Sequence, residues 1–388
     1  MFRARRASST ARMPSSIASA AARVRAAVHS ATAGLVERHQ LAELMVLAAI
    51  AEEHLLIVGP PGTAKSAVVR RVAAALGGRY FEYLLGRFTE PSELFGPVDL
   101  RKLREGLVET DVTGMLPEAE IAFLDEVFLG STAILNTLLG VLNERRFRRG
   151  HTDLACPLRL CVGAANALPE DESLAAFADR FLLHLFVDAV PDHQLEALLA
   201  GGWQAERAEV PHVADLADLD LLAGQVRQVR MDEARSALAQ AVRSLRAAGL
   251  ALSDRRIVKT QRLVAAATVL AGRSVATEAD LWPLFYVMPT REAQAAAQDA
   301  LRDTLALAAN PTLLAAVEQA ALQPLSRVAR LLEAAQRCLA DDADADADAR
   351  TAADAVLREI DANFTAASMP HELAAARARL IERIGAAA

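Results

Sequence analysis

No stretch of this sequence approaches the roughly 20 apolar residues that a membrane-spanning helix needs. Aromatic residues are scarce, at 4% of 388 residues, while much of the 53% apolar content is alanine. That balance favours helices packed closely on one another. There is no surplus of positive charge: 42 Lys and Arg face 49 Asp and Glu, a net charge of -7. A general nucleic-acid binder depends on neutralising phosphates, so the balance argues against that class and leaves only a local basic patch open. Cysteine is rare. Cys156, Cys161 and Cys338 are too few for a disulfide framework, and no second pair or histidine cluster completes a tetrahedral metal set around the first two. They read as small buried apolar side chains in a reducing cytoplasm. The acidic run Asp341 to Asp348 lacks the turn glycine and closing glutamate of a calcium loop. It reads as a solvated linker or a negatively charged helix end. The start, Met1 to Arg6, is basic and resembles a transit peptide in composition, but has no apolar signal core. It is taken as a tail, or as a start placed ahead of a true Met13.

What is present is a regular alternation. The length suits two or three domains. From about Ile17 to Glu53 the chain reads as helix, with Leu41, Leu44, Met45 and Ala48 at helical spacing. Leu55 to Val58 is a short apolar run that stops at Gly-Pro-Pro-Gly, as a buried strand does. Lys65 to Leu76 returns to helical spacing and is ended by Gly77-Gly78. Further strands are expected at Tyr80–Leu85, Ile121–Leu124, Leu158–Ala164 and Leu182–Val187, with a helix at Ile134–Leu142. Five apolar strands separated by helices imply an α/β fold with a parallel sheet covered on both faces. After Pro191 only helices are expected, among them Val258–Leu270. Pro283 and Pro289 mark a boundary before alanine-rich helix from Arg291 to Ala388.

The chemistry is carried by a few residues. Gly59-Pro60-Pro61-Gly62-Thr63-Ala64-Lys65-Ser66 follows a strand and opens a helix, the setting that makes a phosphate loop credible. Backbone N–H groups at the helix start and the helix dipole favour an anion there. Lys65 would reach the β- and γ-phosphates of ATP, and Ser66 would ligate Mg²⁺. The strict pattern has glycine where Ala64 stands, and Ala64 is expected near the helical region. Asp125-Glu126 leaves the third strand. Asp125 would hold Mg²⁺ through water, and Glu126 would activate the attacking water. Asn166, at the end of the fourth strand, would place that water, with a turn asparagine as the plain alternative. Arg180, just before the fifth strand, would reach a neighbouring subunit's nucleotide as an arginine finger. Its alternative is a structural pair with Asp179. Arg255 would sense the γ-phosphate of its own subunit and couple lid angle to nucleotide state, with Arg256 as its competitor.

Together these residues resemble AAA+ ATPases, with Asn166, Arg180 and Arg255 at the positions of sensor 1, the arginine finger and sensor 2. The loop with Ala64 before Lys65, Ile134 to Leu139, and Asn143-Glu144-Arg145 resemble the MoxR family. Phe81-Glu82-Tyr83-Leu84, Glu93 to Pro97, Leu116 to Glu120 and Ser253 to Arg256 are similar to its RavA-like group. The likeness spans about residues 35 to 285. It implies an AAA+ P-loop αβα domain with a five-stranded parallel sheet at residues 30–190, after a tail at 1–29. An all-α lid at 191–288 and a C-terminal helical extension at 289–388 follow. It also implies ATP and Mg²⁺ as cofactors, a hexameric ring, a von Willebrand A-domain partner and chaperone-like remodelling of an unnamed client. A helix-2 insert is expected within Glu93 to Glu118, pairing Val98-Asp99-Leu100 with Leu107-Val108-Glu109. A second hairpin, Arg145 to Pro157, carries Arg145, Arg146, Arg148 and Arg149. Arg145 and Arg146 are alternative fingers. The competing readings are a nucleic-acid-directed ring ATPase and a nucleotide-gated scaffold with little turnover.

Overall fold

The computed structural model describes residues 14–205, 210–321 and 371–386, with single positions 332, 335, 339, 353, 356, 357 and 360. The expected N-terminal tail up to residue 13, Cys338 and the acidic run at 341–348 lie outside the described residues. The chain divides into two compact units. One holds residues 37–189 and 208–320 with the N-terminal helix; the other holds 34–36, 190–207 and 321–388.

In the first unit, α1 (Ser15–Thr32) and α2 (His39–Ile50) precede β1 (Leu55–Val58). Then come α3 (Lys65–Leu76), β2 (Tyr80–Leu84), α4 (Pro91–Phe95) and α5 (Leu100–Arg104). β3 (Ile121–Asp125), α6 (Thr132–Glu144), the hairpin β4 (Arg146–Arg149) and β5 (Thr152–Ala155), β6 (Leu160–Ala165), α7 (Glu172–Ala178) and β7 (Leu183–Phe186) complete the α/β part. The five main strands are parallel in the order β2-β3-β6-β1-β7. β1, β3 and β6 are buried on both faces apart from a half-buried Asp125, as continuous apolar strands under helices must be. Leu56, Leu124, Ile134, Leu138, Val141, Phe147 and Phe181 share one core cluster. This explains why the short apolar runs are strands: each fits a sheet covered by α-helices.

The expected single helix from Ile17 to Glu53 is broken between α1 and α2. Nor are residues 15–29 a tail. Ile17, Ala20, Val24 and Ala27 of α1 are buried, and Arg71 Nε donates to the Ala31 carbonyl at 2.7 Å.

After β7 the second unit takes α8 (Leu195–Ala205). The first unit resumes with α9 (Leu216–Val226), α10 (Asp232–Ala247), α11 (Asp254–Leu270), α12 (Pro283–Val287), α13 (Arg291–Ala300), α14 (Arg302–Ala306) and α15 (Leu314–Ala321), whose last residue falls in the second unit. The boundary expected at 288 is not a gap in packing. Tyr286 donates to the Ala316 carbonyl at 2.7 Å, Asn310 to Ala267 at 2.8 Å, and Gln294 to His184 at 2.9 Å. The second unit also contains α16 (His371–Ala386), where Leu373, Ala376 and Leu380 cluster with Ala335, Ala353 and Ile360. Among the described residues no helix is long and apolar enough to cross a membrane.

Candidate nucleotide site

The parallel strands put every strand-end loop of one kind on one edge of the sheet. At the C-terminal edge, β1 runs into the loop Gly59–Ser66, β3 into Asp125-Glu126, and β6 into Asn166. Gly59 N donates to the Ala165 carbonyl at 3.1 Å, so the loop leaves the sheet abreast of Asn166. Gly59 is required by close approach: a Cβ there would stand 2.1 Å from the Val187 carbonyl oxygen. Gly62 is required by its backbone, at φ +79°.

Ala64 departs from expectation. It lies at φ 60°, ψ 23°, in the left-handed and not the right-handed helical region. The turn from loop to helix demands that conformation, which is why glycine is usual there. The methyl group is carried at a steric cost.

Thr63 Oγ1 donates to the Pro60 carbonyl at 2.9 Å. Lys65 is buried, and its Nζ donates to the Gly59 and Pro60 carbonyls at 2.7 and 3.0 Å. Burial lowers its pKa, an effect opposed by the charges of Asp125 and Glu126 and reinforced by Arg38. The two acids are thus close enough to act on the lysine. The Asn166 amide nitrogen donates to Glu126 Oε1, and Glu126 itself is held at φ 49° as its backbone N–H bonds Asp125 Oδ1 at 3.0 Å. A left-handed glutamate directly after the strand is the kind of local strain that marks functional sites. The Ser66 hydroxyl, half-buried in the first turn of α3, has no partner among the described residues. With Asp125 it offers an oxygen-only pair. This suits Mg²⁺, which takes one or two protein oxygens and fills its shell with phosphate and water.

Two residues that motif reading missed belong to this edge. Arg38, buried just ahead of α2, donates from Nε to the Thr63 carbonyl at 2.9 Å and from Nη2 to the Asp188 carbonyl at 3.1 Å. It ties the loop to the end of β7. Arg291, at the start of α13, makes a two-pronged pair with the Asp188 carboxylate at 2.7 and 2.8 Å and lies over the Phe186 ring. Neither sits in a recurring sequence pattern; only the return of α13 to the sheet reveals Arg291.

Arg180 and Arg255 are not at this edge. Arg180 precedes β7 and so lies at the N-terminal edge of the sheet. Asp179, its alternative partner, pairs instead with Arg256 at 2.9 Å. Arg180 Nε is buried without a hydrogen-bond partner among the described residues. The expectation that Arg255 senses its own subunit's γ-phosphate does not hold. Its Nη2 donates to Asn143 Oδ1 at 2.6 Å. Asn143 is near the far end of α6, 11 residues and so about 17 Å from Thr132, where that helix starts at the C-terminal edge. Arg255 therefore shares an edge with Arg180. Arg256 is buried and structural, donating to the Leu182 and Val287 carbonyls at 2.8 and 2.7 Å.

Of the alternative fingers, Arg145 is drawn into its own chain, donating to the Glu52 carbonyl at 3.0 Å and the Leu142 carbonyl at 3.1 Å. Arg146 pairs with Asp153 at 2.7 Å across the hairpin. Cys156 and Cys161 are buried, which pushes their thiols up to about 11 and about 12. No cluster of His, Cys, Asp and Glu suited to a metal exists among the described residues.

The family defined as the MoxR domain of MoxR-vWA-beta-propeller ternary systems matches residues 22–224. An uncharacterised protein of Methanocaldococcus jannaschii is 34% identical over 247 residues, 63% of this chain and 66% of that one. This chain thus spans just under two thirds of that relative's length. The chaperone MoxR1 of Mycobacterium tuberculosis is 27% identical over 157 residues, 39% of this chain and 41% of that one. A crystal structure from Cytophaga hutchinsonii, described as a candidate ATPase, superposes with a TM-score of 0.61 at 16% identity. It covers 74% of this chain and 96% of that one, a likeness of fold.

Proposed function

The chain belongs to the MoxR family of AAA+ ATPases, and from that we propose that it hydrolyses ATP in a ring to remodel a client protein. The observation that carries this reading is the contact of Asn166 with Glu126 beside the buried Lys65. Loop N–H groups and Lys65 hold the phosphates. Ser66 and Asp125 hold Mg²⁺, which when bound neutralises phosphate charge. Glu126 takes a proton from the attacking water, and Asn166 fixes the position of the carboxylate that does so.

Arg180 and Arg255 share the edge opposite to their own loop, so each serves a neighbour's nucleotide. A closed ring supplies that neighbour at every interface. Six subunits follow from the family likeness, as does a cytoplasmic setting. The family's own description makes a von Willebrand A-domain protein, with a β-propeller, the expected partner set.

Fluorescent-nucleotide titration and phosphate release test the site. Lys65→Ala should lose tight ATP binding, and Glu126→Gln should bind normally while turning over very slowly. Unchanged affinity in the first, or wild-type turnover in the second, would remove the assignment.

A further inference from the structure

The turn from α2 into β1 places a buried glutamate at the opposite end of β1 from the phosphate loop. Ala51 to His54 make that turn at the N-terminal edge of the sheet, the edge of Arg180 and Arg255. Glu52 sits at φ 57°, a conformation glycine holds at less cost. Its carboxylate meets Arg227 at 3.3 Å and Arg262 at 3.2 Å. Both pairs are exposed, and such pairs contribute little. Glu53 differs. It is 1% exposed, Lys259 Nζ donates to its Oε2, and Arg262 Nη1 stands 3.9 Å from its Oε1. That Oε1 has no hydrogen-bond partner among the described residues. A buried carboxylate short of a hydrogen bond is costly, and a packed apolar side chain in its place often serves stability as well or better. Stability alone does not account for Glu53.

Its partners belong to one face of one helix. Arg255, Lys259 and Arg262 recur along α11 at the spacing that brings side chains to the same face. Arg145 joins them from the end of α6. Burial lowers the Lys259 pKa against the pull of Glu53, and Arg255 and Arg145 lower it further. Burial likewise lowers the Arg145 pKa, with Glu53 opposing and Arg262 adding to the shift. The four cations thus feel one another, and Glu53 acts on Lys259, Arg262 and Arg145 alike. Other acids of this edge are engaged elsewhere. Glu144 pairs with Arg148 at 2.6 Å and Asp179 with Arg256 at 2.9 Å, while Asp254 is turned to solvent beside Arg246 at 3.7 Å. His54 adds no negative charge, and burial and then Arg145 keep its ring neutral.

We propose that Glu53 is a positioning residue for hydrolysis in the neighbouring subunit: by binding Lys259 it holds the start of α11, and with it Arg255, against the edge that meets the neighbour's nucleotide. This rests on the ATPase reading above and on Arg255 acting in trans. Asn143, at 2.6 Å, steadies the tip of Arg255, and the Glu53–Lys259 bond one helical turn on steadies its backbone. With Glu53 neutral, four like charges push that face of α11 away from the sheet. Arg255 then misses phosphates that it does not touch in its own subunit. A misplacement of about 1 Å suffices to lower a rate about 100-fold.

Complementation between co-expressed variants tests this. Glu53→Gln should bind fluorescent ATP as the wild type does and lose at least about tenfold in kcat with KM little changed. Mixed with Lys65→Ala it should regain activity, because the Lys65→Ala subunit offers an intact Arg255 to the intact loop of the Glu53→Gln subunit. Mixed with Arg255→Ala it should regain none, because both subunits then fail at the same edge. A packing role alone does not sort the variant in this way. Glu53→Gln with Lys259→Met leaves no charge of the pair unmatched. It should sort identically, and it decides the matter if the single change unfolds the chain. Wild-type turnover, loss of ATP binding in the folded variant, or rescue of Arg255→Ala would overturn the proposal. So would failure to rescue Lys65→Ala in rings that mass measurement shows to be mixed. If Arg255→Ala likewise fails to rescue Lys65→Ala, the trans reading falls too; if Arg255→Ala succeeds where Glu53→Gln fails, only the role of Glu53 falls.

Discussion

Replacing Ala64 by glycine should stabilise the protein. An L-residue in the left-handed region costs about 1–2 kcal/mol, and glycine does not incur that cost. Ala64 sits there, at φ 60° and ψ 23°. Glycine also loosens the unfolded chain, which offsets about 0.4–1 kcal/mol. The difference is a net gain of roughly 0.5–1 kcal/mol. No side-chain hydrogen bond is lost, since Ala64 provides none. Were Ala64 right-handed, as expected from the sequence, the strain relief would vanish. The same change would then cost up to about 1 kcal/mol. The sign therefore reports the backbone conformation. Urea unfolding suits so small a change: the midpoint should rise with the slope unaltered. ATP affinity should hold, because the loop N–H groups already point as the left-handed turn directs them. A lowered midpoint at constant slope would refute the assigned conformation.

Arg255 and Arg256 should separate cleanly. Arg256→Ala leaves buried carbonyls and Asp179 without their donor and should cost about 3 kcal/mol or more in urea unfolding, whereas Arg255→Ala should stay within about 0.5 kcal/mol and lower turnover; the reverse pattern would exchange their roles. Arg180→Ala should bind ATP yet hydrolyse poorly, and co-expressed rings mixing it with Lys65→Ala should regain activity, because some interfaces then pair an intact loop with an intact finger. Confirmed mixed rings without activity would argue against action in trans. Glu43, buried under the N-terminus of α15, has its pKa raised to about 7, chiefly by burial against the pull of the Ala316 and Ala315 N–H groups. The folded state then holds the proton more tightly than the unfolded chain, so this contribution to stability is full below about pH 4.5 and is lost as pH rises through about 7. Thermal melts of wild type against Glu43→Gln should diverge across that window, the wild type falling as pH rises; parallel curves would show that Glu43 does not titrate there.

The nucleotide loop, Asp125-Glu126 and Asn166 were legible in the sequence because their chemistry is local. Each is a short buried strand followed at once by the residues that work, and a parallel sheet brings all such strand ends to one edge. Arg38 and Arg291 were not legible. Both act through Asp188, and their meeting depends on α2 and α13 returning to the end of β7. The insert misled for a related reason. Leu100 and Leu103 are three residues apart, a spacing that shares one face of a helix but not of a strand, and the Asp99 cap starts that helix just inside the Val98–Thr110 bridge.

Arg255 and Arg256 mark the limit of what sequence alone determines. It sets a helix start at Ser253 and two adjacent arginines beyond it. Successive residues on a helix point about 100° apart, so one of the two faces inward and the other outward. Which one faces inward, and which end of the sheet it meets, depends on how α11 packs against β7 and α12. That packing is decided by side chains distant in sequence. It buries Arg256 against the carbonyls of Leu182 and Val287 and leaves Arg255 at the edge of the sheet farthest from its own phosphate loop.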